Sequence, residues 1–450
     1  MIAVGPSPGW DLLLETIGGI ARSDIGVLEG LSDGEWSQLL TECNLHWLTP
    51  VVYRAILHHR DRLAVPPATW RGFKKAYRLS MARTRRADAV LLPVLAAFEA
   101  SGIPVVLLKG MHLSIEVYDT PPARPMVDAD LLVHRAHVAA AVRIVESFGF
   151  RQRDDGAKPD PTPELHDRGD SNHLGKFWCP NGPPIEIHDH LEAPNALPHL
   201  RVDEVWDRAR RLRIDSVSAL ALSREDTLLH LCTHAAFHHR FGVKLLNICD
   251  IPVAIERWRD DIDWAAFWAR ARDWGVERSA QLVFAFTQYR CGYALPEGAA
   301  SQIASHAALA PLLRTAEEQM RLRAAILARR RLAATHDPGI GVLIQLKRRL
   351  TLRSGAALLA SRIFVERREL AASFGVAPGS PWLPVLYPVR LAGLLREYVP
   401  GVLKSLRLRP RERRQQQAAF DAQREMWALN AIGFRMEADA ETLGAWLRGD

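Results

Sequence analysis

One short run constrains this chain more than any other: Ile103 to Leu108 (IPVVLL), wholly apolar, set in a largely helical pattern and closed by Lys109 and Gly110. An apolar run of that length, rich in β-branched residues and ended by a turn signal, reads as a buried strand. A strand needs partners for its backbone, so the chain must build a sheet. Asp128 to Val133 (DADLLV) is the next candidate, after a short helix over Met111 to Tyr118 and a Pro-rich loop over Thr120 to Pro125. His137 to Phe148 has helical periodicity and stops at Gly149, a residue suited to ending a helix. Strand, helix, strand and helix in succession is α/β texture. Asp154 to Asp170 is polar and reads as an exposed loop; His173 to Cys179 and Ile185 to His190 then read as a hairpin around Asn181 and Gly182, its turn lengthened by flanking prolines.

Helical spacing surrounds this core. Leu12, Leu13, Ile17 and Ile20, then Ala89, Leu92, Leu95, Ala96 and Phe98, mark a helical front end, which Pro66, Pro67 and Pro93 should divide into several short helices. After the hairpin helices return. Ser223-Arg224-Glu225-Asp226 resembles a capping box ahead of an apolar stretch, and a basic, helix-rich third begins near Leu312. With 450 residues the chain exceeds the usual domain size of roughly 100 to 200, so two or three cores are expected, and 48% hydrophobic residues can fill them. The expected class is α+β, predominantly helical, with a small mixed sheet. The expected division is 1–100 helical, 101–195 sheet core, 196–300 helical and 301–450 basic and helix-rich.

Composition narrows the function classes. A net charge of +7 permits a polyanionic ligand without demanding one. Five scattered cysteines fit neither a disulfide framework nor a zinc ribbon, which suits a reducing cytoplasm. The N-terminus does not resemble a secretory signal. Leu370 to Val389 is uncharged and long enough to span a bilayer, but its glycines and prolines make it an irregular buried connection and not a transmembrane helix.

Asp128 and Asp130, two apart on a strand, leave the same face, which puts two hard oxygen ligands side by side. A nucleotide's Mg²⁺ needs only one or two protein carboxylates besides phosphate and water. Lys109-Gly110 lets backbone approach phosphate at a helix start. Glu186, between Ile185 and Ile187, is either a third acid facing a site or an edge-strand surface residue.

The order LLKG, short helix, Tyr118, Arg124, MVDADLLV and, after a hairpin, IEIH resembles the DNA polymerase β-like nucleotidyltransferase superfamily. Within it the chain is similar to the bacterial group named only as nucleotidyltransferase family protein, over about residues 30 to 290 and in a tail at Trp382 to Tyr398. The resemblance implies Asp128 and Asp130 as metal ligands, Glu186 as the third catalytic acid, and Mg²⁺ or Mn²⁺ as cofactor. It implies a nucleoside triphosphate as substrate, held by Lys109, Gly110, Arg124 and His234, with an unidentified small-molecule, peptide or protein hydroxyl as acceptor. Lys109-Gly110 departs from the superfamily's glycine-serine turn. Loss of catalysis with retention of the fold, as a binding or scaffold protein, is therefore the alternative.

His230, His234 and His238 form one helical stripe that could share a zinc ion or simply border the core. His188 and His190 share a face with Glu186, and His188 could orient a ligand or pair with a carboxylate. No activated serine or cysteine is recognisable. The basic C-terminal third could meet a membrane surface or a protein; it lacks the interleaved aromatics of a nucleic-acid platform.

Overall fold

The computed structural model describes residues 8–118, 120–152, 173–194, 196–333, 379–406 and 443–447, with Val365, Arg367, Leu370 and Glu412. Contacts divide the chain into one compact unit of Ala3–Ala324 with Met436–Asp450 and another of Met1–Ile2 with Ala325–Arg435.

The larger unit opens with α1 (Pro8–Ala21), α2 (Asp33–His46), α3 (Thr49–His58) and α4 (Pro67–Ala100). Ser32 caps α2 in a complete capping box with Glu35. Only the first three helices are short. α4 runs for 34 residues straight through Pro93. Proline inside a helix costs about 3 kcal/mol, but Leu91, Val94, Leu95 and Phe98 around it are all buried. Burying each such side chain returns about 1.5–3 kcal/mol, so the rod survives.

The core follows as β1 (Val105–Leu107), α5 (Lys109–Glu116), β2 (Ala129–Val133), α6 (Val138–Ser147), β3 (Arg151–Gln152), β4 (His173–Trp178) and β5 (Ile185–His188). Next come α7 (Val202–Asp207), β6 (Arg210–Ile214) and β7 (Val217–Ala221). The strands form one mixed sheet in the order β3-β4-β5-β2-β1-β7-β6. β1 is antiparallel to β2 and parallel to β7, and β2 is parallel to β5. The β6–β7 hairpin corrects the expectation that only helices follow residue 195. Its turn is tight, with Asp215 at φ 51° and Ile214 opposite Val217.

Helices then dominate: α8 (Arg224–Cys232), passing directly into a π-helical turn at Thr233–His238, α9 (Leu245–Arg257), α10 (Trp264–Asp273), α11 (Glu277–Tyr289), α12 (Glu297–Ala300) and α13 (His306–Ala333). In the smaller unit α14 (Leu383–Leu406) replaces the irregular connection expected there. Trp382, Val385 and Val389 are exposed. The expected loop at Asp154 to Asp170 and the remainder of that connection lie outside the described residues. No helix among the described residues is long and apolar enough to cross a membrane.

The sheet separates two cores. Val105, Leu107, Leu131, Val133, Ile185 and Ile187 pack with the second half of α4 and with α6. Val106, Leu108 and Leu132, on the opposite face, join the large core with α1, α8, α9 and α11. Slipping β2 by one residue would turn Asp130 into the α4 layer and expel Leu131 and Val133, at roughly 1.5–3 kcal/mol per side chain. The apolar partners thus decide which way the acid faces.

Candidate active site

Backbone pairing places Asp130 opposite Glu186 on adjacent parallel strands, and Glu186 opposite Lys176 on β4. The next row holds Leu132, His188 and His173. All these side chains share one face of the sheet.

β1 ends against this row: the Leu108 N–H donates to the Asp130 carbonyl at 3.0 Å. The chain then turns sharply through Lys109, whose φ is 43°, and the Lys109 ammonium donates to Asp130 Oδ1 at 2.9 Å. Lys176 bridges the other acids, donating to Asp128 Oδ2 at 2.9 Å and pairing with Glu186 Oε1. His188 Nε2 is 3.0 Å from Asp130 Oδ1 and 3.6 Å from Glu186 Oε2. Asp130 and His188 are buried, whereas the Asp128 and Lys176 side chains are 29% and 30% exposed, so the cluster opens on their side.

Electrostatics separates the carboxylates. Burial pushes Asp130 up, but Lys109 and His188 outweigh it and hold the group well below the usual range. Burial acts likewise on Glu186, and the His188 and Lys176 hydrogen bonds bring it down to about 2. Asp128 is raised, by burial and then by Asp130, against the pull of Lys176. Lys109 is lowered by burial but raised overall by Asp130, Glu186 and Asp128. Three acids thus face two ammoniums and the His188 imidazole, which burial lowers but the Asp130 and Glu186 hydrogen bonds raise overall.

The three sequence-selected acids converge around Lys176 and His188. Among the described residues, the one grouping of three potential metal ligands is Asp130, Glu186 and His188, whose donor atoms lie within 4.8 Å of one another. Asp128 stands outside it, drawn to Lys176.

Arg124 differs from its expected role. Its Nε and Nη2 donate to Asp250 at 3.2 and 2.7 Å, and its Nη1 to the Pro125 carbonyl. Tyr118 adds a third bond to Asp250. The fork that would take two phosphate oxygens is engaged inside the core. Gly110 serves that pair: a Cβ there would lie 2.3 Å from Arg124 Nη1.

His234 is half-buried, next to His230 on the stripe. Burial, then the charge of Lys109, keeps it below its ordinary value. His230 is fully buried, and neither ring nitrogen has a hydrogen-bond partner. His238 bonds Glu192, and no zinc grouping includes the stripe among the described residues. Lys176 was missed by sequence reasoning. The available signal was hairpin register, which sets a lysine opposite Glu186 as a cross-strand pair. A separate recess of about 570 Å³, lined by Val51, Arg54, Tyr118 and Glu256 among others, contains none of the acids.

A sequence model of the family described as uncharacterised nucleotidyltransferase matches residues 32–292. The match covers more than half of the chain, which therefore belongs to that family. No curated protein and no solved structure matches.

Proposed function

We propose that this member of the uncharacterised nucleotidyltransferase family transfers a nucleoside monophosphate from a triphosphate to a hydroxyl of a small-molecule, peptide or protein acceptor, with Mg²⁺ or Mn²⁺. The observation that carries the reading is the register pairing of Asp130 with Glu186 across β2 and β5, with Lys109 at the end of β1 beside them. The donor set fits a divalent ion: Asp130 and Glu186 offer hard oxygens and are held below the usual carboxylate range, so they remain ionised. When bound, such an ion would neutralise the triphosphate and acidify the attacking hydroxyl.

The chain's own residues supply the rest. Lys109, a half-buried cation, can exchange its contact with Asp130 for a phosphate oxygen. Asp128, raised and half-exposed, suits acceptance of the hydroxyl proton better than Glu186, which is too weak a base at about 2. His234 lies on the electrostatic border of Lys109, where a neutral imidazole can donate to the nucleotide. In this reading Arg124 and Gly110 hold the turn through Asp250 and do not touch phosphate.

The test is incubation with labelled triphosphates and cell extract, following label transfer and pyrophosphate release. Asp130→Asn and Glu186→Gln should each lower turnover on the order of a hundredfold, as removal of a transition-state electrostatic partner does. One observation favours the alternative of a non-catalytic nucleotide-binding protein: two lysines already neutralise much of the acid cluster. Triphosphate binding without label transfer or pyrophosphate would support that alternative and refute transfer.

A further inference from the structure

We propose that His188 is itself a metal ligand, so that the centre is a mixed nitrogen–oxygen site preferring Mn²⁺ to Mg²⁺; the inference deepens the nucleotidyl-transfer reading and takes its divalent ion from it.

The oxygens of the cluster are divided. Glu186 Oε1 and Asp128 Oδ2 belong to Lys176, whereas Glu186 Oε2 faces His188. An ion placed among Asp130, Glu186 Oε2 and His188 leaves the lysine bridge intact. An ion taking Asp128 as its third ligand draws on the carboxylate that Lys176 already holds. The spacing is also suitable. Cis ligands of an octahedral ion bonded at about 2.1 Å stand about 3.0 Å apart, and His188 Nε2 is 3.0 Å from Asp130 Oδ1. A small rotation of Glu186 closes its 3.6 Å separation.

The donor atom is fixed as well: His188 Nδ1 is buried without a hydrogen-bond partner, so the polar contacts of the ring run through Nε2, toward Asp130 and Glu186. Imidazole is a good donor to first-row transition ions and a poor one to Mg²⁺, which prefers oxygen. Replacing a second aspartate by His188 therefore changes which ion the site selects.

The experiment is Mn²⁺ titration of the full chain with pulsed electron paramagnetic resonance. Bound Mn²⁺ should show ¹⁴N coupling that changes to the ¹⁵N pattern in protein labelled at histidine. His188→Gln should abolish that coupling and lower the Mn²⁺-over-Mg²⁺ binding ratio tenfold or more, whereas His173→Gln should leave both. The labelling arm needs no variant, so misfolding of His188→Gln does not remove the test. Bound Mn²⁺ without nitrogen coupling, coupling that persists in His188→Gln, or an unchanged ion ratio each overturns the proposal. Label transfer is scored separately: transfer with nitrogen-free Mn²⁺ sinks this inference alone, and nitrogen-bound Mn²⁺ without transfer sinks only the enzymatic reading.

Discussion

At Lys176 a single ammonium decides how two carboxylates share one face of the sheet. It stands between Asp128 and Glu186 and holds both as ion-pair partners. Removing it leaves two acids facing each other and increases the negative charge of the cluster by one. Lys176→Met should therefore tighten Mn²⁺ binding by about tenfold or more, since a unit charge a few ångströms away is worth several kcal/mol at an effective dielectric near 20. Calorimetric titration of variant and parent checks this, and weaker binding in the variant would refute the placement. Arg124 and Asp250 obey a different logic. Both are fully buried, so breaking the pair costs about 3–5 kcal/mol, and the residues belong to the scaffold. Asp128, Asp130 and Glu186 were legible as candidates because acids among apolar strand residues are costly unless they serve something. The Arg124 pairing was not legible, because an arginine in a Pro-rich loop carries no local sign of its partner, which lies 126 residues away.

Elements of this fold are joined by side chains that finish one another's ends. His46, in the last turn of α2, accepts the Leu245 N–H at the start of α9 through Nδ1, at 3.3 Å. That bond requires an unprotonated Nδ1. Burial, with Lys244 and Arg321 nearby, lowers the imidazole from 6.5 to about 3. Below pH 6.5 the unfolded chain takes up this proton and the folded chain does not. Stability from this residue is thus full above pH 6.5 and declines toward pH 3 by up to about 1.4 kcal/mol per pH unit. His46→Gln should remove one proton's worth of that slope in urea denaturation between pH 7 and pH 4; an unchanged slope would contradict the buried neutral ring. The same scale explains which elements could be read in advance. β1, β2 and the β4–β5 hairpin carry apolar runs, and α6 stops at Gly149, whose φ is 83°. β6 escaped notice because Arg211 and Arg213 are exposed between half-buried Leu212 and Ile214, and arginine also suits helices. α4 was expected to break at Pro93, since the burial that sustains it is a tertiary quantity.

Across the larger unit the sheet separates the apolar cluster beneath α4 and α6 from the face that contains the acids. The five cysteines are free; Cys43, Cys232, Cys249 and Cys291 are buried and Cys179 is half-buried. Burial pushes all four buried thiols up. A thiol reagent at neutral pH should accordingly modify one cysteine quickly in the native protein and the other four only on unfolding; two or more fast thiols would show that this packing does not hold in solution. Periodicity and apolar runs in the sequence determined the class, the core strands and the three acids, because these follow from local spacing along one segment. Which imidazole stands beside Asp130 and Glu186, where the lysines lie and what Arg124 grips were decided only by the tertiary structure. Those choices depend on register between strands and on contacts between segments far apart in the chain, and no local pattern encodes them.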